Sequence, residues 1–99
     1  MMMFAVVFED NEEKTGLRAL HMNEHLAFLD KNADVVRMAG PIKDAITGAE
    51  AGGMWLVKMA NVDAVQQLIE ADPFWPTGLR KTVRILEWNH VFSEGRRRI

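Results

Sequence analysis

Apolar positions along the chain fall into six groups, and their spacing separates strands from helices. Residues 3–8 form a short unbroken apolar run rich in Val and Phe. Such a run is too short for a helix and reads as a central strand. Residues 9–14 are a polar loop, and Thr15 is placed to cap a helix that begins near Leu17. Residues 17–31 repeat with helical spacing, and 32–34 form a turn. A second strand, 35–39, is closed by Gly40-Pro41, and 41–52 reads as a long exposed hairpin loop. The third strand, 53–59, puts Trp55 and Val57 on one face and Met54 and Leu56 on the other. Asn61 caps a second helix over 62–71 with Val62, Val65, Leu68 and Ile69 as its buried stripe. Asp72-Pro73 suits the cap and first position of a short further helical turn. A last strand spans 82–92, and the tail SEGRRRI is expected to be mobile.

Strand, helix, strand, strand, helix, strand is the order of an α+β, ferredoxin-like unit. Two right-handed crossovers place four antiparallel strands in one sheet with both helices on one face. The other face then carries apolar side chains with nothing over them, so a homodimer that covers it is expected. The 99 residues make one domain, 1–92, followed by a basic tail, 93–99.

Charge and composition narrow the function classes. Three of the twelve basic residues are Arg96, Arg97 and Arg98; without them nine basic residues face fourteen acidic ones. A body of that sign lacks the basic patch of nucleic-acid binders, so no nucleic-acid partner is expected. Cysteine is absent, which excludes thiolate nucleophiles and cysteine zinc sites. The apolar N-terminal run has no basic lead or small-residue cleavage site. No apolar run approaches the ~20 residues that span a bilayer. A soluble, cytoplasmic protein with no membrane partner is expected.

The first helix carries the candidate chemistry. At about 100° per residue, Leu17, Leu20 and Phe28 fall on one flank of its apolar arc, with Met22, Leu26 and Leu29 on the other. Arg18, His21 and His25 lie between them, so three polar residues interrupt the stripe. His25 reads either as a partly buried histidine with local hydrogen bonds or as a general base. Asp72 follows the second helix on the same side of the sheet, as a helix cap or as the carboxylate that orients an imidazole. Phe74 and Trp75 offer an apolar wall beside it. Arg18 either holds an anionic substrate group or pairs with an acidic neighbour, and His21 lines the pocket or points away. His21 and His25 have no third ligand in sight, so no metal site is expected. There is also no phosphate-binding loop and no nucleophile elbow.

His25-Leu26-Ala27, Ala39-Gly40-Pro41, Ala71-Asp72-Pro73-Phe74, Gly78-Leu79 and a closing strand with Trp88 together resemble the YCII-related family. The resemblance covers roughly residues 3–92. It implies a ferredoxin-like fold and a homodimer of the dimeric α+β barrel kind. It further implies a site on the positions of His25 and Asp72, with Arg18 matching an arginine upstream of the histidine. The chemistry assigned in that family is cofactor-free loss of chloride from a chlorinated hydroxyquinol. Related barrels include muconolactone isomerases and cofactor-free monooxygenases of ring compounds. Leu86-Glu87 stands where the family often has a proline before its Trp, and His21 is additional.

The expected function is a small cofactor-independent enzyme acting on a hydroxylated, possibly chlorinated, small-molecule ring, by elimination of HCl or by isomerisation. His25 and Asp72 are the expected catalytic residues. Arg18, His21, Phe74 and Trp75 are the expected substrate-binding residues. The rival is a non-catalytic ligand-binding or accessory module.

Overall fold

The computed structural model describes all 99 residues. Four strands form an antiparallel sheet: β1 (Met2–Asp10), β2 (Val36–Lys43), β3 (Glu50–Met59) and β4 (Arg80–Glu87). Their order is β2-β3-β1-β4, so the two apolar strands β1 and β3 sit at the centre, as in ferredoxin-like folds. The helices are α1 (Gly16–Leu20), α2 (Met22–Lys31) and α3 (Val62–Ala71). No helix is long and apolar enough to cross a membrane.

Alternation along the strands assigns the two faces. Phe4, Val6 and Phe8 of β1 and Trp55 and Val57 of β3 point to the helices, where they meet Val65, Leu68 and Ile69 of α3. Asn61 caps α3, accepting a hydrogen bond from the Ala64 N–H at 2.9 Å. Val62, expected in the buried stripe, is half exposed. Ala5, Val7, Met54, Leu56 and Leu86 occupy the opposite, helix-free face, paired across strands as Ala5 with Leu56, Val7 with Met54 and Ala5 with Leu86.

Several boundaries differ from the sequence reading. The first helix is not continuous: it breaks at His21, whose φ of −107° and ψ of 11° leave the helical region. Leu20 and Leu26, placed on the apolar arc by the wheel, are 73% and 49% exposed. Thr15 makes no side-chain cap bond. Strand β2 does not stop at Gly40-Pro41 but runs on to Lys43. It lies at the sheet edge, where a proline with no N–H costs no ladder bond. The long hairpin loop shrinks to six residues, 44–49, because Asp44 ties it. The Asp44 Oδ1 accepts from the N–H groups of Ile46 and Thr47, and these bonds hold its carboxyl below its ordinary value.

The closing strand ends at Glu87 rather than Phe92. The tail is not free chain but a small hairpin of β5 (Phe92–Ser93) and β6 (Arg96–Arg97). Glu94 and Gly95, at φ 53° and 73°, supply its left-handed turn, and the Arg98 Nε donates to Ser93 Oγ at 3.0 Å.

Candidate active site

The helical layer over β1 and β3 has an unusual filling. Of all residues in α1 and α2, only His25 is buried. An imidazole thus takes the one buried position that these two helices supply.

Its partner comes from the end of α3. A residue before proline is kept out of the helical region, so Pro73 ends α3 and leaves Asp72 extended, at φ −67° and ψ 132°. Asp72 therefore terminates the helix before it and also caps the turn after it, as the sequence suggested. The carboxylate is 2% exposed. Its Oδ1 accepts from the Phe74 N–H at 3.2 Å and from His25 Nδ1 at 2.8 Å. The local turn and the imidazole share one oxygen. The carboxylate can only accept, so Nδ1 holds the hydrogen and Nε2 is the basic nitrogen. Nε2 has no protein partner and is not among the polar atoms sealed from solvent. The Phe74 ring stacks on the imidazole at 4.2 Å and 19°, and Trp55 lies 6.4 Å away.

Next to this pair is a second ionic cluster. Asp10, at the end of β1, receives Arg18 on Oδ2 and the Arg80 Nη1 on Oδ1, the latter at 3.2 Å. Arg18 also faces the Phe74 ring, 5.6 Å from its centroid. Arg80 is the more buried arginine, its side chain 4% exposed. It lies over Phe8 at 4.0 Å and Phe74 at 5.2 Å, and its Nη2 stands 3.9 Å from Asp72 Oδ2. Burial pushes its guanidinium below its ordinary value, and attraction to Asp10 opposes that. A groove of about 880 Å³ opens beside Asp10, Arg18, Pro41, Lys43, Gly52 and Lys81. It touches the arginine cluster and stops short of His25.

The structure thus brings together His25, Asp72, Phe74 and Arg18. Trp75 packs against the core rather than on the imidazole. His21 turns to Glu24, its Nδ1 3.6 Å from Oε2, so the wheel's grouping of His21 with His25 does not produce a shared site. Asp10 and Arg80 were not anticipated. The register shifts between Glu9 and Asp10, so that Glu9 pairs with Thr82 and Asp10 with Arg80. Simple alternation from Val83 would turn Lys81 inward; the bulge turns Arg80 inward instead. Lys81 is 60% exposed. Nothing in the residue types announces that bulge.

Residues 2–89 match the YCII-related domain. The chain belongs to the YCII-related family. No curated protein matches it by sequence. Among solved structures, this YCII-related chain is similar to 5-chloro-2-hydroxyhydroquinone dehydrochlorinase (TftG) from Burkholderia phenoliruptrix AC1100, in complex with 2,5-dihydroxybenzoquinone. The TM-score is 0.79 and the identity 26%, over 90% of this chain and 95% of that one. Two more distant structures share the fold. One is At3g17210 from Arabidopsis thaliana, with TM-score 0.51 and 10% identity over 95% of this chain and 99% of that one. The other is a dimeric protein of unknown function and ferredoxin-like fold from Bacteroides fragilis NCTC 9343. Its TM-score is 0.50 and its identity 12%, over 90% and 95% of the two chains.

Proposed function

We propose that the protein is a cofactor-independent enzyme of aromatic degradation that removes HCl from a chlorinated, hydroxylated ring. The observation that carries this reading is the buried 2.8 Å bond from His25 Nδ1 to Asp72 Oδ1, which leaves Nε2 as the base. Likeness to a dehydrochlorinase, at 26% identity and TM-score 0.79, supports the substrate class.

The chemistry needs only proton transfers. His25 Nε2 accepts the proton of one ring hydroxyl, and the chlorine-bearing carbon takes up a proton. Loss of a second hydroxyl proton then forms the carbonyl, and chloride leaves with the C–Cl bonding pair. The sum is loss of HCl and formation of a hydroxyquinone. Asp72 holds the ring tautomer and offsets the imidazolium charge. Arg18 favours the anionic oxygen as it forms. The Phe74 ring, stacked on the imidazole, fixes the plane in which that nitrogen lies. The scheme calls on no metal or organic cofactor.

The test is chloride release and ring absorbance from chlorinated hydroxyquinols. Release of one chloride per quinone formed is expected. Ring rearrangement without chloride would point to isomerisation by the same base. Asp72→Asn keeps an oxygen that can accept from Nδ1 but removes the charge that offsets the imidazolium. A fall in kcat of about 10²-fold or more is expected, within the range of a positioned base. Unchanged kcat in that variant would remove Asp72 from the mechanism.

The assembly proposed is a homodimer through the helix-free face. Met38, 68% exposed, and Leu86, 39% exposed, join Ala5, Val7, Met54 and Leu56 there. Light scattering should return twice the 11.3 kDa chain mass. A monomer at micromolar concentration would contradict the proposal.

A further inference from the structure

We propose that Arg80 is a positioning residue, whose guanidinium bridges Asp10 to Asp72 and locks the carboxylate that orients His25. The proposal rests on the dyad reading above and extends it to a residue outside the dyad.

Three observations converge. First, Arg80 uses its two terminal nitrogens on different carboxylates, with Nη1 on Asp10 Oδ1 at 3.2 Å and Nη2 at 3.9 Å from Asp72 Oδ2. His25 and the Phe74 N–H occupy the other oxygen of Asp72, Oδ1. The carboxylate is therefore approached on both oxygens, and rotation about its side chain would break contacts on both sides. Second, the arrangement is costly for the fold. Arg80 Nε is buried with no acceptor, and a buried unsatisfied donor costs about 1–3 kcal/mol. Buried ion pairs seldom stabilise more than apolar residues of like volume. The Phe8 and Phe74 rings on which the guanidinium lies offset only part of its desolvation. Third, the neighbouring strand leaves room for the fork. Gly53 lies beside Phe8 on β3, and a Cβ there would stand 3.1 Å from Arg80 Nη1 and 3.9 Å from Arg18 Nη2. The Gly53 backbone is not in the left-handed region, so the space, not the chain conformation, is what glycine provides there.

The bulge at Glu9/Asp10 completes the case, because it selects Arg80 over Lys81 for the inward position. Lysine has one compact ammonium and cannot place two separate nitrogens of a planar fork on two carboxylates. Arg80 also connects the dyad to Arg18, since both arginines share Asp10. The base, its orienting carboxylate and the oxyanion-facing arginine become one ionic unit.

The test uses Arg80→Lys and, as a second variant, Gly53→Ala, whose new methyl presses on Nη1. Ring nitrogen NMR shifts of His25, read where the imidazole is neutral, report the tautomer without any turnover. The wild type is expected to hold its hydrogen on Nδ1. Arg80→Lys and Gly53→Ala are expected to show a second population with hydrogen on Nε2. On a chlorinated hydroxyquinol, kcat should fall by about tenfold or more with KM held within about twofold, the mark of an interaction used in the transition state. Ring shifts and kcat unchanged in a folded variant would overturn the proposal and leave the dyad standing. A wild-type ring with no Nδ1 hydrogen would overturn both. If Arg80→Lys fails to fold, Gly53→Ala decides alone.

Discussion

His25→Ala is expected to abolish chloride release while leaving a folded protein. A positioned base contributes about 10²–10⁴-fold to rate, and His25 is the group with its free nitrogen exposed to a ligand and its other nitrogen anchored. The variant should fold because the carboxylate it leaves behind is not abandoned. Asp72 still accepts from the Phe74 N–H and still faces Arg80. The lost packing is that of one imidazole against Phe74 and Trp55, worth on the order of 2–5 kcal/mol. Chloride electrode traces beside a thermal melt separate the two effects. Turnover retained in a folded His25→Ala protein would end the assignment of the base. His25→Gln sharpens the comparison, because it keeps an N–H for Asp72 and has no basic nitrogen. Silence from wild type and variant alike, with ligand-induced shifts of the His25 ring, would favour the ligand-binding module instead.

The second large effect concerns stability. Gly52→Ala is expected to prevent folding or to cost at least about 4 kcal/mol, a large share of the ~5–15 kcal/mol that holds a domain together. A Cβ at Gly52 would stand 1.9 Å from the Phe8 carbonyl oxygen and 2.8 Å from its carbon. Those are main-chain atoms of the central strand, so no side chain can swing aside. The Gly52 φ of 101° adds strain for any residue with a Cβ. The natural control is Gly40→Ala, on the edge strand β2. Nothing lies within 4 Å of a Cβ at Gly40, and its φ is ordinary, so its melting should shift little. Guanidinium titrations of both variants check the pair. A Gly52→Ala protein as stable as Gly40→Ala would mean that the β1–β3 approach is looser than described. That outcome would also weaken the account of Gly53 and Arg80 beside it.

The same two strands show which part of the site was legible beforehand. His25 stood out because it broke an apolar stripe at helical spacing, and Asp72 because it preceded a proline at a helix end. Those are local signals. That they meet at 2.8 Å over 47 residues of chain is a product of both helices lying on one sheet face. Arg18 was legible as a residue of that face, but its partner Asp10 was read as part of a polar loop. Asp10 ends β1 instead. His21 was grouped with His25 because a wheel assumes one unbroken helix, whereas the backbone leaves helical geometry at His21 itself.

From the sequence alone came the order of strands and helices, the central place of the first strand, the split of the third into a Trp55/Val57 face and a Met54/Leu56 face, and His25 and Asp72 as candidates on one side of the sheet. All of these follow from period, length and turn chemistry, which are properties of neighbours along the chain. The tertiary structure alone decided that Arg80 rather than Lys81 turns inward, that Asp10 joins two arginines, and that Gly52 and Gly53 make way for main chain and guanidinium. Each depends on strand register, on a single bulge and on distances across β1 to β3 and β4. A one-residue shift of register exchanges the two faces of a strand. Local pattern does not see such a shift, because it arises only when one strand is laid against another.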